Sequence, residues 1–171
     1  AAALLGARGS IVHLGSYKKA EGEVKERQHT LLLERITTIL SETPKESVLI
    51  AENSGTRKIG QTMEEIGNIL SDVNSQRLKV CLDTCHLHAA GYDLRGKEKL
   101  AAFLTEFDKL IGLERLECFH VNDSRDPFGS LRDRHENIGE GEVEKEVFKL
   151  VLNHPKLRDL PFIIETPGFD G

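Results

Sequence analysis

Short apolar runs alternate along the chain with longer stretches in which apolar residues recur every three or four positions. The runs are residues 10–14 (SIVHL), 47–52 (SVLIAE), 78–83 (LKVCLD), 115–121 (RLECFHV) and 161–166 (PFIIET). Each is short and nearly continuous in apolar character, which predicts strands covered on both faces. Residues 21–41 predict a helix with Leu31, Leu32, Ile36, Ile39 and Leu40 at helical spacing, and Pro44 lies just beyond its end. Residues 62–73 predict a second helix, with Met63, Ile66, Ile69 and Leu70 on one face. Residues 97–111 predict a third, carrying Leu100, Phe103, Leu104, Phe107 and Leu110, and residues 143–152 a fourth. This β-α-β-α order implies an α/β fold with a parallel sheet and right-handed helical crossovers. Five such strands suit either an open doubly wound sheet or part of a (β/α)8 barrel. No composition shift or Pro/Gly/Ser-rich linker interrupts residues 1–171, so a single domain is expected.

Placed on these elements, the titratable residues form a pattern. His13 is near the end of the first strand, Glu52 ends the second and Asp83 ends the third, with His86 three residues on. His120 is near the end of the fourth strand and Glu165 near the end of the fifth. The C-terminal strand ends of a parallel α/β fold converge on one face, where active sites are built. Asp133 and His135 lie in the long stretch 122–142 after the fourth strand, a length that marks a functional loop. In an extended Asp-x-His, alternate side chains share a face. Four His and four carboxylates exceed one tetrahedral site, and they suit borderline divalent cations such as zinc, manganese or iron. Any one of them alone reads more simply as a hydrogen-bonded strand-end residue or a helix cap. Recurrence at five successive strand ends is what favours a cluster of two or three ions with a bridging carboxylate, the arrangement of phosphoryl-transfer hydrolases. His29, on the surface of the first helix, His88, facing away from His86, and His154, before Pro155, are read as structural.

Bulk properties add little. Hydrophobic residues make up 39% and charged residues 30%, ordinary for a soluble globular domain. The formal net charge of -5 gives no sign of nucleic-acid binding, although basic residues can still be gathered on one face. Three cysteines, Cys81, Cys85 and Cys118, argue against a disulfide framework and read as small buried side chains. Residues 1–6 do not make a secretory leader, and no apolar run approaches the roughly 18 residues of a membrane span, so a cytoplasmic location is expected. The chain opens on Ala-Ala-Ala and stops just after an apolar run, which reads as a piece of a longer protein.

Residues 80–94 (VCLDTCHLHAAGYDL) and 120–142 (HVNDSRDPFGSLRDRHENIGEGE) closely resemble two signatures of the endonuclease IV family, the deoxyribonuclease IV or family 2 AP endonucleases. Residues 50–59 (IAENSGTRKI), 163–166 (IIET) and 11–16 (IVHLGS) fit three looser motifs of that family. The resemblance implies a TIM barrel, of which strands 4 to 8 are present here, with three zinc ions at its C-terminal face and manganese as a possible substitute. Carried over by motif, His13 and Glu52 belong to the first zinc, with Glu52 bridging to the second. Asp83, His120 and Glu165 complete the second, and His86, Asp133 and His135 hold the third. The activity implied is hydrolysis of the phosphodiester 5′ to an abasic site in base excision repair, leaving a 3′-hydroxyl and a 5′-deoxyribose phosphate, with trimming of blocked 3′ ends. Glu52 is then the catalytic residue, beside the attacking hydroxide. The partner is double-stranded DNA, and the intact enzyme is expected to be a monomer.

In the second signature Arg132 and Arg134 flank Asp133 and are expected to meet DNA phosphates, with Asn122 and Ser124 also facing the backbone. Gly139 and Gly141 are expected to shape a turn, and Tyr92 to pack under the metal loop. The chain departs from the family at Leu14, where Pro is common, at Tyr17, where a second His is common, and in a shorter loop after Glu52. One further His ligand, three strands and the early DNA-inserting loops would lie ahead of residue 1. The isolated chain is expected to be inactive or unstable, because an incomplete barrel leaves an open edge. Two other readings remain: a metal-dependent sugar isomerase or epimerase of the xylose isomerase-like barrel class, and a DNA-binding protein that has lost catalysis.

Overall fold

The computed structural model describes residues 2–167. Five strands form one parallel sheet: β1 (Gly9–His13), β2 (Val48–Glu52), β3 (Leu78–Asp83), β4 (Leu116–His120) and β7 (Phe162–Ile163). They lie in the order β1-β2-β3-β4-β7, so each strand pairs with the next large strand in sequence. Between them run α1 (Gly22–Glu42), α2 (Met63–Val73), α3 (Thr84–Ala90), α4 (Lys97–Leu110) and α5 (Lys145–Leu152). A doubly wound sheet needs a reversal of strand order and helices on both faces. Neither is present among the described residues. The main core joins Leu49, Ala51, Leu82 and Phe119 to the helices, while Ile50, Cys81 and Cys118, on the opposite face by strand alternation, form a small separate cluster. The architecture is therefore an arc of a (β/α)8 barrel, with its helices outside. None of the described helices is long and apolar enough to cross a membrane.

Local signals account for most boundaries. α2 begins where the Thr62 hydroxyl accepts the Glu65 N–H at 3.2 Å, and it ends at left-handed Asn74. Its buried residues are the four of the expected stripe, Met63, Ile66, Ile69 and Leu70. α1 departs from expectation: Ile36 and Leu40 are buried and Leu32 half-buried, but Leu31 and Ile39 face solvent. α1 covers the sheet with a narrower stripe than its sequence offers. α3 has no apolar period, because its sides are buried almost all round, by Thr84, Cys85, His86, Leu87 and Ala89. The last strand is also shorter than the expected run 161–166, because β7 has a pairing neighbour on one side only.

The loop after β4 holds an antiparallel pair, β5 (Asp123–Ser124) with β6 (His135–Glu136), in which Ser124 is opposite His135. It is ordered by the fully buried Asp123 carboxylate. Oδ1 accepts the N–H groups of Ser124 (2.8 Å) and Val143 (2.9 Å), and Oδ2 those of Gly139 (2.8 Å) and Gly141 (3.1 Å). A Cβ at Gly141 would collide with the Ser124 carbonyl and with this carboxylate. Gly141 thus admits backbone close to Asp123, while Gly139 turns the chain at a φ of 85°.

Candidate metal centre

Strand register sets the ligands side by side. His13 pairs with Glu52, and Asp83 with His120. Adjacent strands lie about 4.8 Å apart, so side chains in such a row meet. Glu165 follows β7 by two residues, and Asp133 and His135 reach over from the β5–β6 loop. The structure brings all eight expected ligands together, in groups whose donor atoms lie within 4.8 Å of one another: His13, Glu52 and His86; Glu52, Asp83, His120 and Glu165; and His86, Asp133 and His135.

Glu52 links two of these groups. Its Oε2 faces His13 Nε2 at 3.6 Å, while its Oε1 faces His120 Nδ1 at 3.0 Å. His120 Nδ1 also lies 2.9 Å from Glu165 Oε2 and 3.9 Å from Asp83 Oδ2. His86 Nε2 is 3.0 Å from Asp133 Oδ1, and His135 Nε2 is 3.6 Å from the same oxygen and 3.8 Å from Asp83 Oδ2.

The surrounding bonds aim these atoms. His86 Nδ1 sits 2.9 Å from the Asn53 carbonyl and His135 Nδ1 sits 3.0 Å from the Glu165 carbonyl. A carbonyl only accepts, so each Nδ1 carries a proton and each Nε2 is the atom turned to the cluster, able to offer a lone pair to a cation that displaces its own proton. Asp83 divides its labour: Oδ1 caps α3 by accepting the His86 N–H at 3.0 Å, and Oδ2 faces the site. Gly55 lets the loop after β2 lie against α3, since a Cβ there would meet His86 Cα at 2.9 Å.

The electrostatics call for cations. Four carboxylates share this space, and two unit charges about 4 Å apart repel by about 4 kcal/mol at an effective dielectric of 20. Burial pushes the Asp83 carboxyl up. Burial alone would also raise Glu52, but His120, His86 and His13 outweigh it and hold Glu52 low. The bond from His86 holds the Asp133 carboxyl low despite its burial. Burial would lower His86, yet Asp133, Asp83 and Glu52 raise it to about 9. A proton shared between His86 and Asp133 thus stands where a divalent cation would fit, and the N/O donor set suits zinc or manganese. Cys85 lies beside Asp83 and His135, but burial and then Asp83 push its thiol up to about 12. Its Sγ points at the Arg134 carbonyl at 3.8 Å.

Two expected DNA contacts are corrected. Asn122 has no exposed surface. Its Nδ2 donates to Asp83 Oδ2 at 2.6 Å, and its Oδ1 accepts the Glu165 N–H at 2.7 Å. Both ends are used inside the site, so it orients ligands instead of meeting a phosphate. Ser124 is equally buried and bonds the Asp126 carbonyl at 2.9 Å. Arg134 is exposed but grips the buried Asp126 with two bonds of 2.6 and 2.7 Å, and Arg132 lies 3.6 Å from the same carboxylate. Asn53, Asp123 and Asp126 carry the loop and the ligand geometry, and no apolar period or metal-ligand spacing marks them. A signal for Asp123 existed in its distance to the glycine pair, where backbone N–H groups need an acceptor.

The remaining histidines take structural places. His29 is half-buried rather than on the surface, bonded to the Tyr17 hydroxyl at 2.9 Å and facing Asp72 at 3.5 Å. His88 turns away from the site and packs edge-on against Phe128. Tyr92 accepts the Met63 N–H at 2.9 Å and packs against Phe103.

Comparison with known proteins fits this geometry. The family described as xylose isomerase-like TIM barrel matches residues 1–170. The chain is 42% identical over 152 residues to a probable endonuclease 4 of Akkermansia muciniphila, covering 88% of this chain and 54% of that protein. It is 40% identical over 158 residues to a probable endonuclease 4 of Carboxydothermus hydrogenoformans, covering 92% of this chain and 55% of that protein. The solved structure of endonuclease IV from Thermus thermophilus aligns with a TM-score of 0.77 at 36% identity, over 99% of this chain and 58% of that one. The chain thus spans little more than half the length of the relatives it matches.

Proposed function

The chain belongs to the xylose isomerase-like TIM barrel family, and from that premise we propose that it carries the metal-binding face of a zinc-dependent AP endonuclease. The reaction is hydrolysis of the DNA phosphodiester 5′ to an abasic site, leaving a 3′-hydroxyl and a 5′-deoxyribose phosphate, in base excision repair. The substrates are duplexes with abasic sites or blocked 3′ ends. The observation that supports this best is the Glu52 carboxylate, whose two oxygens face His13 and His120 in two different ligand groups. That is the posture of a bridging ligand, and paired cations suit phosphodiester chemistry.

Three ions fit the donor set, with zinc preferred and manganese acceptable. When bound, such cations supply Lewis acidity toward phosphoryl oxygens and lower the pKa of a water. Glu52, held ionised by its His neighbours, would offer both oxygens as ligands and so stand beside the attacking water. Asp83, His120 and Glu165 fix the second position, with Asn122 holding two of them in place. His86, Asp133 and His135 fix the third. A sugar isomerase typically needs fewer ligands, and the additional group of His86, Asp133 and His135, brought in by the long loop after β4, favours the nuclease. We take the enzyme to act as a monomer in the cytoplasm, a location that suits its three free thiols.

The test is incision of a duplex holding one abasic analogue by the zinc-loaded protein made at the full length of the relatives it matches, with metals counted in the same preparation. A single cut 5′ to the lesion is expected. Glu52→Gln should abolish cutting while duplex binding persists. Full metal loading without incision would sink the nuclease reading.

A further inference from the structure

The loops that follow strand C-termini build the working face of a parallel α/β arc, so their cations decide what that face attracts. Those cations divide cleanly among the described residues. In the loops after β3 and β4 each is ion-paired: Arg95 with Asp93 and Glu144, Arg125 with Glu136, Arg132 and Arg134 with Asp126. In the loops after β1 and β2, Lys18, Lys19, Arg57 and Lys58 are exposed, and none of them lies in an ion pair among the described residues. The chain is acidic overall, at -5, yet its free positive charge on this face is gathered on two neighbouring loops.

The two loops are bonded together and anchored. The Ile59 N–H donates to the Gly15 carbonyl at 3.0 Å, and the Ala20 N–H to the Tyr17 carbonyl at 2.8 Å. The Lys18 N–H donates to Ser16 Oγ at 3.1 Å, and the bond from Tyr17 to His29 ties the turn to α1. Lys18 and Lys19 have φ values of 48° and 64°. Side-chain-bearing residues rarely adopt this left-handed conformation, and such strain gathers at functional loops. Glycine would take these positions with less strain, so the turn holds two charges where backbone geometry alone favours none.

The surroundings select the ligand. Glu26, Glu64, Glu65 and Asp72 line the groove between α1 and α2 together with Lys25 and the four loop cations. Glu65 accepts the Gly60 N–H at 2.7 Å and Asp72 faces His29, and the four acids interleaved with the cations weaken the groove as a pocket for one small anion. An extended polyanion lying along the rim avoids them. Lys18 and Arg57 each follow a candidate ligand, His13 and Glu52, by five residues, a reach of at most about 18 Å. Duplex DNA carries one charge per roughly 1.7 Å of its axis, so a duplex seated over the metal centre brings phosphates to these side chains.

We propose that Lys18, Lys19, Arg57 and Lys58 form a ledge that grips the DNA backbone on one side of the incision point, separate from the Arg132–Arg134 loop. The identity of the polyanion rests on the nuclease reading; the ledge itself does not. The test is binding of the zinc-loaded protein, made at the full length of the relatives it matches, to a labelled duplex with one abasic analogue, by fluorescence anisotropy, across a salt series from about 50 to 200 mM. Each phosphate contact adds about 0.9 to the salt slope, or about 3.5-fold in affinity over that series. Replacing all four residues by Gln should make the slope shallower by about 3 to 4. The two loop pairs, K18Q/K19Q and R57Q/K58Q, should each account for half, and they serve where the fourfold variant loses its melting transition.

A control variant, Lys45→Gln with Lys156→Gln, removes two exposed lysines from the loops entering β2 and β7, at the opposite end of the arc. Its slope should match wild type. Trimming the duplex from one flank should weaken wild type and leave the fourfold variant unchanged. Coincident slopes for wild type and variant, or an equal loss per charge in the control, overturns the ledge. Incision is read in the same samples: no incision with the slope difference intact sinks the nuclease reading alone, and incision with coincident slopes sinks the ledge alone.

Discussion

Replacing Asn122 by Ala tests whether the buried amide serves the metals. The side chain makes a 2.6 Å bond to Asp83 Oδ2, accepts the Glu165 N–H at 2.7 Å and lies 3.5 Å from Glu165 Oε2. Removing it leaves Asp83 Oδ2 without its donor in a fully buried place, at a cost of about 1.5–3 kcal/mol for a bond to a charged group. It also frees Glu165, which is half exposed and has no other anchor for its N–H among the described residues. Asp83 Oδ1 keeps the cap of α3, so the helix and His86 stay in place. The damage therefore concentrates on the group of Glu52, Asp83, His120 and Glu165.

Loss of an outer-shell partner typically weakens metal binding about 10–100-fold, or about 1.4–2.7 kcal/mol. One zinc per protein should weaken by that factor in competition with a chromophoric chelator, while the others bind as before. Asn122→Asp should be worse than Ala, because it sets a second carboxylate against Asp83 where a donor stood. Zinc affinity within about threefold of wild type, together with weakened duplex binding, would refute this reasoning and return Asn122 to the role of a DNA contact.

Asp123→Ala removes the acceptor of four backbone N–H groups, so a stability loss of roughly 3–6 kcal/mol is expected. Melting should fall by at least about 6 °C, and an unchanged melting temperature would disprove the anchoring role. In chelator-treated protein the raised His86 contributes stability that is complete below its unfolded value near 6.5 and is lost as pH rises through about 9. Urea unfolding should therefore show stability declining across that window, and a flat profile would contradict the His86–Asp133 pairing. The isolated chain should self-associate, because β1 and β7 have unpaired edges and Ile163 and Ile164 are 39% and 60% exposed. A cooperatively melting monomer in light scattering would oppose that.

The helices and strands that pack in layers were legible because burial imposes a period. The stripe of α2 and the apolar faces of α4 and α5 follow directly from it. The elements that escaped have another source of order. α3 is buried nearly all round and shows no period. The β5–β6 loop is folded by one carboxylate and four N–H groups, a pattern with no apolar trace. The places of His13, Glu52, Asp83, His120 and Glu165 were readable from strand ends, but which atom faces the site was not. That depends on the carbonyls of Asn53 and Glu165, which fix the tautomers of His86 and His135 from elsewhere in the chain.

Asp83 shows why a structural and a catalytic reading of one residue need not compete. A strand-end Asp is a plausible helix cap, and Asp83 is one: Oδ1 holds the His86 N–H. That bond fixes the χ angles of the carboxylate, and so directs Oδ2 toward His120 and His135. It also fixes the first turn of α3, and with it the ring of His86. Capping is thus the means by which two candidate ligands, Asp83 and His86, are held in register. Asn122 extends the same device, because its amide meets the Oδ2 that the cap has aimed and its carbonyl oxygen meets the backbone of the next strand end. The bland explanation of a single residue describes the support on which the cluster stands, and only the coincidence across strand ends separates a cap that supports a metal site from one that does not.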